Sequence, residues 1–331
     1  MKKLINDPYR VTLESIDGFV AAFPKLVRRA GPQAVVRADS PVPGKVAVLI
    51  GGGSGHEPLF MGYVGKGFAD ACPVGNIFAS PSPDMILDAT RAASGGAGVL
   101  YMYGNYSGDC MNFDMAAEDA EQEGIAVKTV RVTDDVASAP RDQIERRRGI
   151  AGDFFVFKTA GARADEGGSL DEVWTAADKA NQNTRSMGVA LTSCIIPASG
   201  RPIFQLGDDE IEIGLGIHGE PGQARTKWTP ADCVTDQLMA RILEDLPFRA
   251  GDEIAVLVNG LGSTPLAELY IVYRRAAQLL ENAGIRVHRS WVGEYSTSLD
   301  MAGASITLMR LDGELKRLID APAECPSFTQ V

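Results

Sequence analysis

The chain has 331 residues, 45% of them hydrophobic and 23% charged, which suits a globular protein of two ordinary domains. A formal net charge of −11 argues against a nucleic-acid or anionic-membrane partner, and no apolar run reaches transmembrane length. The five cysteines (Cys72, Cys110, Cys194, Cys233, Cys325) lack CxxC spacing, so reduced thiols in a cytoplasm are expected, not a disulfide framework or a zinc site.

The opening "MKKLINDPYR" has no apolar stretch behind its lysines and does not read as a secretory signal. "KVAVLI" (45–50) predicts a buried strand, as do "AGVLYMY" (97–103), "IAVKTVRV" (125–132) and "DFFVFK" (153–158). Helices are expected between them at "SPDMILDATRAA" (82–93), with Ser82 as N-cap, and at "NFDMAAEDAEQEG" (112–124). The short basic run at 146–149, "RRRG", is expected to be solvated or to form a local salt-bridge site. "SLDEVWTAADKANQNTRSMG" (169–188) predicts one long helix leading into a second half. There "MGVALTS", "IFQL" and the alternating "DEIEIGLGI" predict strands. "TPADCVTDQLMARILEDL" (229–246) predicts a helix capped by Thr229 with Pro230 at its first position. Residues 252–284 predict a strand, a glycine turn and a long helix, and "IRVHRSWVG" and "ASITLMRL" two more strands. This rhythm predicts an α/β fold of two α/β domains, 1–187 and 188–331, each a mostly parallel sheet flanked by helices.

Loops at the carboxyl ends of strands form the ligand crevice of open α/β sheets. Three fall there: "GGGSGHEP" after 45–50, "GNYSGDCMNF" after 97–103, and "NGLGSTP" after 253–258. None is a Walker A loop, since "GYVGKGF" lacks the hydroxyl residue after its lysine. "GGGSGH" is not a dinucleotide fingerprint either, because His56 takes the third glycine position; this counts against an NAD-type oxidoreductase. A glycine-rich turn can serve structure alone, and that role stays open. The chain has three histidines, and two of them, His56 and His218, lie in glycine-rich loops followed closely by Glu-Pro. Such a loop admits close backbone approach and presents one titratable side chain, which suits acid/base or nucleophilic work. His288, in a strand, is expected to be a surface or hydrogen-bonded residue. Asp109 is expected as a helix N-cap, an acid/base group, or both. Asp114 is expected to be a solvated acid. Most of Asp208, Asp209, Glu210 and Glu212 are expected to be exposed.

Together, "GGGSGHEPL…GYVGKG", "GNYSGDCMNF", "GLGIHGEPG", "LVNGLGSTPLAELYIVYR" and "GEYSTSLDMAGASITL" resemble the K subunit of dihydroxyacetone kinase over essentially the whole chain. The resemblance implies a short ketose, dihydroxyacetone or erythrulose, joined through its carbonyl carbon to His218 as a hemiaminal. It implies that Gly53, Ser54, Gly55, His56, Gly104 and Asp109 surround the substrate, with His56 and Asp109 as acid/base groups. No metal ligand is implied in this chain. ADP or ATP and Mg are implied on a separate helical L-type partner, which a chain ending at Val331 would require, and a homodimer is expected. Where family members often carry Lys in "KNY", this chain has Gly104, and Cys110 follows Asp109. A missing long cation enlarges the pocket, so a tetrulose is the alternative substrate. A ketose-binding regulatory protein is the alternative of another class, though regulation needs no acid/base set.

Overall fold

The computed structural model describes residues 2–331. The chain forms two compact units that interleave in sequence: one takes the stretch up to Val132, Phe155–Ala180 and Leu315–Val331, the other Thr133–Phe154 and Asn181–Glu314. The expected boundary at 187/188 falls inside a strand, because chain order need not follow packing order when segments return to an earlier sheet.

In the first unit, α1 (Val11–Ala22) precedes β1 (Val27–Arg29), β2 (Ala34–Arg37), β3 (Ala47–Ile50), β4 (Gly52–Ser54) and β5 (Ala71–Ile77). Then come α2 (Pro83–Ala93), β6 (Val99–Gly104), α3 (Ser107–Gln122) and β7 (Val127–Val132). The sheet order is β1-β2-β5-β3-β6-β7, with β4 also paired to β5. β5, β3, β6 and β7 run parallel; β1 and β2 are added antiparallel. All four residues of β3 and all six of β6 are buried, as continuous apolar runs require of parallel strands covered on both faces. Tyr101, Tyr103 and Phe113 pack among Ile86, Leu49 and Val36 in the core, each such side chain contributing roughly 1.5–3 kcal/mol over exposure.

Two helices follow, α4 (Asp153–Asp165) and α5 (Leu170–Gln182). Residues 153–158 are therefore helix, not the expected strand. They are buried on every side, and the apolar run Phe154–Phe157 at their centre does not distinguish a buried helix from a buried strand. Gly161 lets α4 touch the backbone at Phe68, where a Cβ would overlap the carbonyl oxygen. The helix expected over 169–188 stops at Gln182. Beyond it the chain is taken up by β8 (Thr184–Ala190), fully buried and paired antiparallel to a later strand, so tertiary pairing overrides helical propensity.

The second unit continues with β9 (Glu210–Ile213), β10 (Ala224–Lys227), α6 (Ala231–Asp245), β11 (Glu253–Gly260), α7 (Leu266–Asn282), β12 (Arg286–Gly293) and β13 (Gly303–Leu311). Its sheet order is β10-β9-β8-β13-β11-β12. Only β11 and β12 are parallel; the other neighbours are antiparallel, so the mostly parallel expectation holds for the first sheet and fails for this one. A strand's own alternation reveals its faces and not its partner's direction. Residues 203–206, expected as a strand, are bends and irregular backbone. Pro230, not Thr229, is the N-cap of α6. α8 (Gly313–Asp320), β14 (Ala323–Cys325) and β15 (Phe328–Gln330) complete the chain. Among the described residues no helix is long and apolar enough to cross a membrane.

The basic run at 146–149 is a salt-bridge site. Arg147, 1% exposed, grips Asp245 through Nη1 at 2.8 Å and Nη2 at 2.5 Å. Arg185 meets the same carboxylate at 2.6 Å through Nε.

Candidate functional site

In the first sheet the chain leaves β3 toward β5 on one side and later returns to β6 on the other. The strand order therefore reverses at β3, and the crevice beyond the carboxyl ends of β3 and β6 is a topological switch point. The loops leaving these adjacent parallel strands are "GGGSGHEP" and "GNYSGD", so the first unit brings two of the three expected loops to one edge.

The first loop is built by close approach. A Cβ on Gly53 would lie 2.6 Å from the Ala79 nitrogen, and Gly55 has φ +97°, so both positions require glycine. Ser54 Oγ donates to the Gly75 carbonyl at 2.9 Å and shares a 2.8 Å hydrogen bond with Thr12 Oγ1. His56 is buried, its ring stacked on Phe78 with centroids 4.8 Å apart. Phe78 holds that position at φ +56°, a conformation rare for an aromatic residue and of the kind that clusters at functional sites. Glu57 folds back so that its carboxylate accepts the Gly55 N–H. Burial pushes its pKa up, against the hydrogen bonds it accepts.

In the second loop Gly104 is the buried last residue of β6, and α3 begins at Ser107. The N-cap of α3 is Tyr106; Asp109 lies inside the first turn, where the helix dipole favours a carboxylate. It is 9% exposed. At Gly108 a Cβ would meet only Ser80, at 3.7 Å, so packing does not require glycine beside this acid. Cys110 donates to Asn105 Oδ1 at 3.4 Å, and burial pushes its thiol up. Asp114, expected as a solvated acid, is half exposed and paired with Arg131.

His218 belongs to the second unit, in the loop 214–223 that joins β9 to β10 as a hairpin. Gly214 and Gly219 have φ +79° and +83°. The loop closes on itself through Gly216 N–H to the Glu220 carbonyl at 3.1 Å and Gly219 N–H to the Gly216 carbonyl at 2.9 Å. Ser298 Oγ ties it down by donating to the Ile217 carbonyl at 2.6 Å. Glu220 repeats the fold-back of Glu57: Oε2 accepts the His218 N–H at 3.0 Å, and Oε1 lies 3.1 Å from His218 Nδ1. The outcome differs. Burial pushes Glu220 up, but the hydrogen bond from His218, the charge of that ring when it is protonated and the charge of Arg148 outweigh it and bring it down to about 2.

Of the four acids expected to be mostly exposed, Asp208 and Asp209 are exposed, whereas Glu212 is 6% exposed, accepts the Gly222 N–H at 3.0 Å and pairs with Arg225. The "NGLGSTP" loop is held by its own chain, with Asn259 bonded to Ser296 and Tyr295 and Thr264 exchanging two hydrogen bonds with Gly303. It reads as a structural clasp. Asp109 is a first-turn residue and not the N-cap. His288 lies on β12 where the register with β11 shifts. Sequence reasoning missed Phe78, Thr12, Glu220, Arg148 and Asp135. Glu220 had a local signal, the Glu-Pro pair shared with the first histidine loop, and Arg148 a partial one, the basic run at 146–149.

A family model described as the Dak1 domain matches residues 17–327. The chain is 51% identical over 330 residues, 99% of both chains, to the PTS-dependent dihydroxyacetone kinase 2, dihydroxyacetone-binding subunit DhaK, of Listeria innocua. It is 48% identical over 328 residues to the D-erythrulose kinase of Mycolicibacterium smegmatis, covering 99% of this chain and 56% of that protein. The dihydroxyacetone kinase from C. freundii, solved in complex with AMP-PNP and Mg2+, superposes with a TM-score of 0.91 at 34% identity, covering 99% of this chain and 61% of that one. The chain belongs to the Dak1-domain family.

Proposed function

We propose that this chain is the substrate-binding subunit of a dihydroxyacetone-type ketose kinase. It holds a short ketose through a hemiaminal on His218 while a partner subunit delivers the phosphoryl group to a terminal hydroxyl. The observation that carries this reading is the set of glycine-built loops in a Dak1 chain that retains all three chemical groups, His56, Asp109 and His218. A neutral imidazole is a nucleophile near neutral pH, and only a carbonyl accepts it as a hemiaminal; polyols do not. In this reading Gly53, Ser54, Gly55 and Gly104 border the ketose, and His56 and Asp109 take the proton from the attacking hydroxyl, a role worth roughly 10²–10⁴-fold.

ADP or ATP and Mg belong to the L-type partner, where they supply the phosphoryl group and neutralise its charge. The C. freundii kinase solved with AMP-PNP and Mg2+ supports this, because its chain extends well beyond the part matched here. A cytoplasmic location fits the five free thiols, and a homodimer rests on the resemblance alone.

Gly104 favours a second substrate. A buried glycine at the end of β6 offers no cation to the ketose and leaves more room, which suits a tetrulose such as erythrulose. Phosphorylation of dihydroxyacetone and both erythrulose enantiomers, with a matched L-type partner, tests both readings. A higher kcat/KM on an erythrulose supports the enlarged site. A clear preference for dihydroxyacetone removes it and leaves the kinase reading standing. No turnover of any ketose, with a partner active on its own cognate subunit, overturns the kinase reading in favour of a regulatory ketose-binding role.

A further inference from the structure

We infer that Glu220, anchored by Arg148 and through it by Asp135, is a positioning residue that fixes the His218 ring with its proton on Nδ1 and its lone pair on Nε2. This rests on the proposed role of His218 and adds the residues that prepare it.

The chain of contacts lies wholly within the second unit. One carboxylate holds both the backbone and the ring of His218, through Oε2 to the N–H at 3.0 Å and through Oε1 to Nδ1 at 3.1 Å. That geometry fixes the ring relative to its own main chain. Oε2 also lies 3.9 Å from Arg148 Nη1. Arg148 is itself held: its Nε and Nη2 donate to Asp135 Oδ2 at 2.9 and 2.7 Å, and Nη2 reaches the Gly214 carbonyl at 3.3 Å at the base of the loop. Asp135 is 1% exposed and also accepts the Ala137 N–H at 3.0 Å. The passage between Glu220 and Arg148 runs past Gly216, where a Cβ would overlap both Glu220 Oε2 and Arg148 Nη1. The second glycine of "GLGIHGEPG" is therefore explained by this ion pair and not by a turn.

An ionised carboxylate only accepts hydrogen bonds, so a neutral ring facing it carries its proton on Nδ1. The remaining lone pair, on Nε2, is then the nucleophile. In the addition, Nε2 forms the C–N bond, the carbonyl π pair moves to oxygen, and that oxygen takes a proton from water, releasing hydroxide to the solvent as the counterpart of the charge gained by the ring. The ring keeps Nδ1–H and becomes an imidazolium facing the Glu220 carboxylate, so the charge created by the bond is met by one already in place. Arg148 keeps the carboxylate ionised and aimed, and Asp135 offsets the charge of Arg148.

The variant Glu220→Gln keeps the size of the side chain and removes its charge. ¹⁵N spectra of the His218 ring, recorded without ketose, are expected to show one Nδ1–H tautomer in the wild type and a mixture in the variant. Ketose affinity is expected to fall about 10–100-fold, the loss of one hydrogen bond to a charged group. Arg148→Met is expected to produce a smaller change in the same two readouts, and Arg148→Lys to restore part of it. A ring spectrum and an affinity both unchanged in Glu220→Gln would overturn the inference. A wild type that binds no ketose at all would instead overturn the proposed function, while the tautomer measurement would still decide the role of Glu220.

Discussion

His218→Ala is expected to cut discrimination between ketoses and polyols to that of a small pocket and to remove most of the activity. With a matched L-type partner, kcat/KM on the ketose should fall by at least about 10²-fold, the penalty for losing the bond that places the reacting hydroxyl. The ratio of ketose to glycerol turnover should collapse further. Without a bond that only a carbonyl can form, the site retains the selectivity of a small pocket, typically ~10–200-fold. Asp109→Asn should behave differently. It removes the proton acceptor and keeps the imidazole, so kcat should fall roughly 10²–10⁴-fold while glycerol stays excluded. Steady-state kinetics of both variants on ketose and glycerol separate the two roles. Equal loss of discrimination in both would contradict the assignment of selectivity to His218.

The largest expected effect on stability is at Asp245. Its carboxylate sits between Arg147, 1% exposed, and Arg185, 5% exposed. Burial pushes Asp245 up, and the hydrogen bonds from both arginines more than offset this and hold it below its ordinary value. Asp245→Ala removes the carboxylate that two buried guanidinium groups share, and breaking a buried pair in this way costs roughly 3–5 kcal/mol. Calorimetric or denaturant unfolding should show that loss, with Asp245→Asn intermediate because it keeps the shape and one acceptor. The sign with pH follows from the depressed value. The contribution of the carboxylate is complete above the ordinary pKa of 3.8 and is lost as pH falls through the lower folded value. A stability change in Asp245→Ala no larger than that of a typical surface substitution, within about 0.5 kcal/mol, would contradict the account of this triad.

The strands at 45–50 and 97–103 were legible because each is a short, continuous apolar run, which is how buried parallel strands read. The loops that follow them were legible because glycine is conspicuous and because each sets a titratable side chain, His56 or Asp109, beside a glycine. Residues 153–158 misled for the same reason that 45–50 succeeded: an apolar run carries no period when every face is buried. The direction of β8 and β13, and the return of α4 and α5 to the first unit, depend on contacts distant in sequence and leave no local trace. Around His218 the imidazole and its glycines were visible. Arg148 and Asp135 were not, because the ring meets them only through Glu220 and across a long sequence separation. Even so, the basic run at 146–149 carried a partial signal, since a local salt-bridge site was one of its two expected roles.

The most direct test of the central claim is the state of the ketose carbon on the protein. Dihydroxyacetone labelled with ¹³C at its carbonyl would be bound to protein labelled with ¹⁵N in its histidine rings and observed by NMR. A hemiaminal on His218 predicts a tetrahedral carbon with a one-bond coupling to a ring nitrogen, absent in His218→Ala. A bound ketose whose carbonyl carbon shows no coupling to nitrogen would contradict the account.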